Sequence, residues 1–137
     1  LQHVVARQLK NTNQTIAIQE TATHGQLSQW LTELDDFDGL TTASIKPGQR
    51  YEGDDATTSI TTDAVELRKT SESDLAIIIG SIVTPSHDHG IPVVHVALAH
   101  EGGVIHRTVN YTGHPDILVS RTAKQALDII RHHFLSG

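Results

Sequence analysis

The chain of 137 residues has no cysteine, no methionine, and only one Trp, two Tyr and two Phe. Without cysteine it can form no disulfide framework, no thiolate zinc site and no cysteine nucleophile. Basic residues are also few, since 10 Lys and Arg stand against 16 Asp and Glu, for a formal net charge of −6. The sequence therefore lacks the basic patch of a nucleic-acid-binding protein, and we expect no nucleic-acid partner.

Long hydrophobic runs are missing as well. No apolar segment approaches the roughly 20 residues that span a bilayer, and no segment resembles a signal peptide. We therefore expect no membrane association and a cytoplasmic location. The length predicts one domain, residues 1–137, with a continuous core. Because the chain begins at a leucine and contains no methionine, we also expect that residues precede it in the full protein.

Hydrophobic periodicity predicts helices and strands in the order α-β-α-β-α-β-β-β-α. Helical spacing occurs in 3–11, 25–34, 61–73 and a last segment that starts at Pro115. Strand patterns occur in 15–20, 39–45 and 74–83, and in two runs that form a hairpin around 101–103. Segment 46–59 is predicted to be a loop, with Thr61 or Thr62 capping the third helix. This order predicts an α/β fold, a three-layer α/β/α sandwich with a mixed, largely parallel sheet.

The stretch "ETATHG", from Glu20 to Gly25, connects the first predicted strand to the second helix. A turn of this kind places hydroxyl groups beside the free N–H groups of a helix, which stabilise an oxyanion or bind phosphate. Thr21 is a candidate nucleophile, and it requires a base such as His24 or Lys46. The alternative is that Thr21 or Thr23 only caps the helix.

Gly25 and Glu20 are the remaining candidates in this turn. Gly25 permits a close approach of the backbone to a ligand. Glu20 is a candidate for orienting a base or a substrate amide, and the alternative is a solvated carboxylate at the end of a strand.

The stretch "SHDHG" contains the histidine pair His87 and His89, whose imidazoles suit zinc, nickel or copper. Two histidines are too few for a complete site, and a third ligand would have to come from His95, His106 or His114. The alternatives are a polar loop without metal, or contact of His87 with a phosphate group of a ligand.

Four short motifs occur in an order that resembles a known family. The turn "ETATHG" is similar to E-S-x-T-G-G, and "GSIVTP" at 80–85 is similar to T-G-x-A-G-P. "PVVHVALA" at 92–99 is similar to P-V-G-x-V-x-x-A. "YTGHP" at 111–115, followed by "AL" at 126–127, is similar to the last motif, an aromatic strand with G-x-R and a helix that contains A-L. With these motifs the chain resembles the C-terminal domain of the CinA family, the competence/damage-inducible proteins. That domain also occurs alone, as nicotinamide-nucleotide amidohydrolase.

The resemblance implies the CinA fold, a pyridine-nucleotide substrate, and hydrolysis of a carboxamide to a carboxylate with release of ammonia. It also implies a hydroxyl nucleophile in the first motif, a Tyr and a Lys after the second strand, and self-association into a homo-oligomer. The nucleophile position is Thr21 here. The family's Tyr and Lys align with Ser44 and Gln49, or are replaced by Lys46, Arg50 or Tyr51.

Two further positions depart from the family pattern. Pro115 stands where the family's last motif has Arg, and Gly80 stands where the family motif T-G-x-A-G-P has its first residue, Thr. The apolar framework is thus retained while most polar functional positions are changed. We therefore predict a degenerate member that binds a nucleotide and has weak or no amidase activity. The alternatives are an active amidohydrolase that uses Thr21, and an oligomeric interaction module without a ligand.

The candidate residues follow from these motifs. The catalytic candidates are Thr21, Lys46 and His24, and the ligand-binding candidates are Glu20, Thr23, Gly25, Ser44, Gly80, Ser81, Thr84 and His87. We predict no cofactor.

Overall fold

The computed structural model describes residues 1–34, 37–46, 50–84, 91–110 and 115–135. Over these ranges the chain forms helices and strands in the predicted order, which is thereby confirmed. The elements are α1 (Gln2–Asn11), β1 (Ile16–Glu20), α2 (Gln26–Thr32), β2 (Leu40–Ile45), α3 (Ala56–Thr70), β3 (Leu75–Ile79), β4 (Val93–His100), β5 (Gly103–Asn110) and α4 (Pro115–Leu135).

The five strands form one sheet in the order β2-β1-β3-β4-β5. β1 pairs in parallel with β2 and β3, whereas β3–β4 and β4–β5 are antiparallel. Every residue of β1 and β3 is buried, as expected for central strands that are covered on both faces. With α1, α2 and α4 on one face and α3 on the other, the predicted sandwich with a mixed sheet is confirmed.

The alternation of side chains along β1 divides the core into two clusters. Ile16 and Ile18 belong to the larger cluster, which α1, α2 and α4 cover. Ala17 belongs to the smaller cluster, which α3 covers. Small residues on both sides of the second interface, such as Ala64 on α3, allow the helix to lie close to the sheet. In the described part of the chain, no helix has the length and apolarity needed to cross a bilayer.

The start of α3 differs from the prediction. The helix begins at Ala56, so residues 56–59 are helical rather than part of a loop, and the N-cap position is Asp55. Capping by Thr61 is wrong, because its hydroxyl donates to the carbonyl oxygen of Thr57 one turn earlier, at 2.8 Å. Ala56 and Ile60 are both buried against the sheet. Their packing extends the helix through residues that have a low helix propensity.

The topology defines the edge of the sheet at which a ligand would bind. The parallel strands β1, β2 and β3 end at the same edge, and β4 begins there. The chain continues from β1 into α2 on one face and from β2 into α3 on the other face. Where neighbouring parallel strands diverge to opposite faces, a crevice opens at their carboxyl ends, and ligands of α/β proteins bind in such crevices.

Candidate functional site

Backbone hydrogen bonds join three of the predicted segments at this edge. Thr21 N donates to Ile79 O at 2.9 Å, and Ala22 N donates to Gly80 O at 3.1 Å. On the other side, Lys46 N donates to Glu20 O at 2.9 Å. The stretch "ETATHG", the end of β2 and the start of "GSIVTP" therefore meet, although about 60 residues separate the first of these segments from the last.

The carboxylate of Glu20 is the most extensively bonded side chain of the site. It is fully buried. One oxygen accepts hydrogen bonds from Thr23 Oγ1 (2.5 Å) and Leu27 N (2.9 Å), and the other accepts from Ser28 N (3.0 Å) and Ser28 Oγ (2.6 Å). Glu20 thus caps the first turn of α2 from the preceding strand. The interpretation of Glu20 as a solvated strand end is wrong.

The same contacts correct the capping hypothesis for the two threonines. Gly25 occupies the N-cap position of α2 and no N-cap side chain bonds to the helix. The Thr23 hydroxyl donates to Glu20 instead, so the side chain that satisfies the helix N–H groups comes from the end of β1. A carboxylate with two oxygens reaches two backbone N–H groups, whereas one threonine hydroxyl reaches one.

Thr21, at the predicted nucleophile position, is 8% exposed. Its hydroxyl donates to the carbonyl oxygen of Lys46 at 2.7 Å. A hydroxyl attacks a carboxamide only when a base accepts its proton. Here the proton lies between Thr21 and a backbone carbonyl, which has no useful basicity, so the hydroxyl connects the ends of β1 and β2.

His24 and Gly25 form the tight part of the turn. Both have positive φ angles, 51° for His24 and 89° for Gly25. A Cβ at Gly25 would lie 2.9 Å from Ile45 Cδ1, the tip of an exposed side chain that can move aside, so the turn requires glycine mainly for its backbone angle. The His24 side chain is exposed, and no hydrogen bond links its ring to another residue that the structure describes.

Lys46 and Ser44 lie on the α3 side of β2. Ser44 is opposite Gln19 in the strand register, and Lys46 lines a groove of about 250 Å³ between the strand ends and α3. The other residues that line this groove are Gln19, Asp63, Glu66, Leu67 and Thr70. Lys46 thus contacts Thr21 through its carbonyl oxygen, while its side chain borders a groove that contains two carboxylates.

Tyr51 belongs to the site, although the sequence predicted it only as one of three residues that could replace the family's Tyr and Lys. It is buried, and its hydroxyl donates to Asp63 Oδ2 at 2.8 Å. Its ring lies against Gly80, where an added Cβ would be 2.8 Å from Tyr51 Cδ2. Gly80, the position at which the family motif has Thr, therefore provides the space for the ring. The only signal in the sequence was an aromatic residue in a chain with few of them.

Ser81 and Thr84 complete the described part of the "GSIVTP" segment. Ser81 Oγ is buried and has no hydrogen-bond partner among the described residues, whereas Thr84 is exposed. A buried hydroxyl without a partner in the protein can be satisfied by a ligand or by a water molecule.

The histidines proposed as metal ligands divide into two groups. His87, His89 and His114 lie outside the described residues. His95 and His106, named as sources of a third ligand, contact each other, with 2.9 Å between His95 Nδ1 and His106 Nε2. Burial lowers the pKa of both imidazoles, and the charge of His106 lowers that of His95 further. Within the ranges that the structure covers, no cluster of three or more His, Cys, Asp or Glu side chains is arranged to hold a metal ion.

The mixed sheet with helices on both faces is a fold that solved structures of the CinA superfamily share. A CinA superfamily protein from Klebsiella pneumoniae has a TM-score of 0.76 at 17% identity, with 99% of this chain and 96% of that chain covered. One from Enterobacter cloacae has a TM-score of 0.79 at 16% identity, with 97% and 89% covered. At these identities the likeness establishes the fold.

The sequence comparison adds a relative. A CinA-like protein from Syntrophomonas wolfei is 28% identical over 152 aligned residues, which cover 98% of this chain and 36% of the relative. The chain thus spans about a third of the length of that relative. No sequence model of a protein family matches the chain. With the motifs and the fold, this relative confirms the resemblance of the chain to the CinA family.

Proposed function

We propose that this chain is a nucleotide-binding CinA-like domain, related to nicotinamide-nucleotide amidohydrolases, in which amidase activity is weak or lost. The observation that carries the proposal is the hydrogen bond from Thr21 Oγ1 to the carbonyl oxygen of Lys46. The hydroxyl at the nucleophile position stabilises the fold, and no described side chain is placed to accept its proton.

The loss of a base has a known scale. A positioned general base contributes typically 10²- to 10⁴-fold to the rate of a hydrolytic reaction. His24 is exposed and without a bond to Thr21, and the Lys46 side chain borders the groove beside Asp63 and Glu66. Neither residue is therefore arranged in this structure as the partner of the hydroxyl.

The oxyanion site that the turn could have formed is also occupied. The N–H groups of Leu27 and Ser28, at the start of α2, both donate to the carboxylate of Glu20. The negative charge of a carboxylate at a helix N-terminus satisfies the same donors that would otherwise stabilise an oxyanion. This supports a site in which the helix terminus serves the fold rather than the reaction.

Two features support a retained ligand site at the same edge of the sheet. The Ser81 hydroxyl, which follows β3, is buried without a partner among the described residues, and Lys46, which follows β2, lines a groove. A hydroxyl donor and an ammonium group suit the ribose and phosphate groups of a nucleotide. The proposal therefore separates binding, which these groups support, from hydrolysis, which Thr21 does not support.

Ammonia release from nicotinamide mononucleotide tests the catalytic part. We expect no release above the rate of a protein-free control, and no change in the Thr21→Ala variant. Thr41→Ala is the matched control, because the Thr41 hydroxyl also donates to a carbonyl oxygen across β1–β2, that of Ile16 at 3.1 Å. Turnover that Thr21→Ala abolishes and Thr41→Ala preserves would establish the active amidohydrolase instead.

Calorimetric titration with nicotinamide and adenine nucleotides tests the binding part. We expect saturable binding of at least one nucleotide, and weaker binding by Ser81→Ala. If no nucleotide binds, the third hypothesis, an interaction module without a ligand, replaces this proposal. Self-association belongs to the same proposal, and light scattering that finds only a monomer at micromolar concentration would contradict it.

A further inference from the structure

A groove lies between the edge strand β5 and the flank of α4, and His100 at the end of β4 also lines it. The volume of this β5 groove is about 690 Å³, which is within the roughly 300–1,000 Å³ of pockets that hold small molecules. None of the described residues that line it belongs to the Thr21 turn, and β3 and β4 separate it from β1 in the sheet. The β5 groove is therefore a second cavity, separate from the candidate site at the carboxyl ends of β1–β3.

The floor of the β5 groove is apolar. Ile105 and Val109 lie on the face of β5 that packs on the larger core cluster beneath α4, because side chains alternate along a strand. Ile129 of α4 completes the floor and is buried, as is Val109. A ligand with an apolar body would therefore cover apolar surface here, which favours its binding.

Arg107 provides a cation beside this floor. It lies between Ile105 and Val109 in the sequence and on the same face of β5. Its guanidinium donates to His106 O at 2.9 Å. Among the described residues no carboxylate forms an ion pair with it. A guanidinium has several N–H donors in a planar fork that matches a carboxylate, so donors remain for a ligand.

The wall that α4 contributes contains polar residues. Gln125, Asp128 and Ile129 lie at helical spacing and line the groove together. Arg131 Nη2 donates to Asp128 Oδ1 at 2.8 Å, so an ion pair offsets the charge of Asp128. Among the described lining residues, Arg107 is then the one permanent cation that has no acidic partner. The groove therefore matches a ligand with one negative charge.

Two imidazole rings lie at the end of the groove nearest to the β4–β5 turn. The ring centroids of His100 and His133 are 4.4 Å apart, with an interplanar angle of 36°. Flat rings offer a surface on which another aromatic ring packs in an offset or tilted arrangement. The imidazoles and the apolar floor together favour a ligand with a flat aromatic body.

We propose that the β5 groove binds an aromatic monocarboxylate of more than one ring, with its carboxylate on the Arg107 guanidinium and its rings on the apolar floor. An arginine holds a carboxylate through two parallel N–H···O hydrogen bonds. A phosphate monoester is a poorer fit, because it carries nearly two negative charges at neutral pH. In a chain of net charge −6, an anion binds only where such a local cation offsets the overall repulsion.

Calorimetric titration with naphthoate tests the proposal. We expect saturable binding of one equivalent, and weaker binding of naphthamide, which has the same shape without the charge, and of naphthyl phosphate. Arg107→Gln should weaken naphthoate binding about tenfold and remove the preference over naphthamide, because the charge-assisted hydrogen bonds are lost. The matched control is Arg7→Gln, an exposed arginine on α1 that does not line the groove, and it should bind naphthoate as before.

A second variant reverses the charge of the opposite wall. Gln125 is exposed on α4, so Gln125→Glu leaves the core unchanged. The added carboxylate should weaken the binding of naphthoate severalfold and leave that of naphthamide unchanged, since only the anion is repelled. If a variant fails to fold, as judged by circular dichroism, amide chemical shifts of the parent protein decide. Naphthoate must then shift the signals of β5 and α4 more than those of the Thr21 turn.

Three results would overturn the proposal. The first is no saturable binding of naphthoate at millimolar concentration, and the second is equal binding of naphthoate and naphthamide by the parent protein. The third is loss of naphthoate binding in Ser81→Ala with retention in Arg107→Gln, which would assign the ligand to the carboxyl edge of the sheet. Unchanged naphthoate binding in Ser81→Ala keeps the two sites distinct and supports the β5 groove.

Discussion

We predict that the Glu20 carboxylate stabilises the first turn of α2. Replacement of Glu20 by Gln tests this role. Gln keeps one acceptor oxygen and replaces the other by an NH2 group. If the remaining oxygen keeps the hydrogen bonds from Thr23 Oγ1 and Leu27 N, the NH2 group faces the N–H group of Ser28. Two hydrogen-bond donors then face each other without an acceptor between them. The variant therefore loses stability although its side chain has the same shape.

The magnitude follows from these contacts. One buried N–H left without an acceptor costs about 1–3 kcal/mol, and removal of the negative charge from the helix N-terminus costs about 0.3–1 kcal/mol. We expect Glu20→Gln to lower the free energy of unfolding by about 2 kcal/mol. Glu20→Ala should lower it by about 4 kcal/mol, because all four hydrogen bonds disappear and a cavity forms.

Urea unfolding followed by circular dichroism measures this loss. With a denaturant slope of about 1–3 kcal/mol/M, a change of 2 kcal/mol moves the midpoint by about 1 M. The matched control is Glu33→Gln at the C-cap of α2, where the exposed carboxylate accepts a hydrogen bond from Gln29 Nε2 at 3.1 Å. That change should stay within about 0.5 kcal/mol. An unchanged midpoint in Glu20→Gln, with weaker nucleotide binding, would refute the structural role and indicate that Glu20 orients a ligand.

Three further predictions concern neighbouring contacts. Because burial lowers the pKa of His95, His106 and His133, the unfolded chain binds more protons than the native chain below about pH 6.5, and the urea midpoint should fall as the pH drops from 7 towards 5. A His95→Gln/His106→Gln variant should show a weaker pH dependence of the midpoint. A midpoint that does not change with pH in the parent protein would contradict this prediction. Gly80→Ala should lower the free energy of unfolding by about 1–3 kcal/mol, because the added methyl group would collide with the ring of Tyr51. If the losses of stability caused by Gly80→Ala and Tyr51→Leu simply add in the double variant, as measured by thermal melts, the two residues are not in contact. Thr21→Val should lose about 1 kcal/mol and Thr21→Ser almost none, since Ser keeps the hydroxyl that donates to Lys46; equal urea midpoints for Val and Ser would exclude this bond.

Local patterns in the sequence were sufficient for the element order, and the continuous apolar run of residues 74–83 is typical of a central strand such as β3, which is covered on both faces. The spacing of Ala123, Leu127 and Ile130 on α4 likewise placed that face on the sheet, and all three are buried. These features depend on neighbours one turn or one residue away, which periodicity records. The start of α3 was misplaced because the packing of Ala56 and Ile60 against distant strands outweighs the local preference of the threonines.

The geometry of the candidate site depends on contacts between residues that are distant in the sequence, which hydrophobic periodicity does not predict. Thr21 bonds to Lys46, 25 residues away, and Tyr51 packs on Gly80, whose small size matters only once the ring arrives. His95 and His106 meet because of the register of one hairpin, and a shift by one residue would turn one ring to the opposite face.

By itself, the sequence determined the composition, the absence of cysteine chemistry, the order of helices and strands, and the motifs that led to the CinA family. Only the tertiary structure decided that Glu20 caps α2, that the Thr21 hydroxyl donates to a backbone carbonyl, and that ring nitrogens of His95 and His106 face each other at 2.9 Å. The physical reason is that burial patterns follow from local spacing, whereas a hydrogen-bond partner depends on which distant segment approaches and in which register.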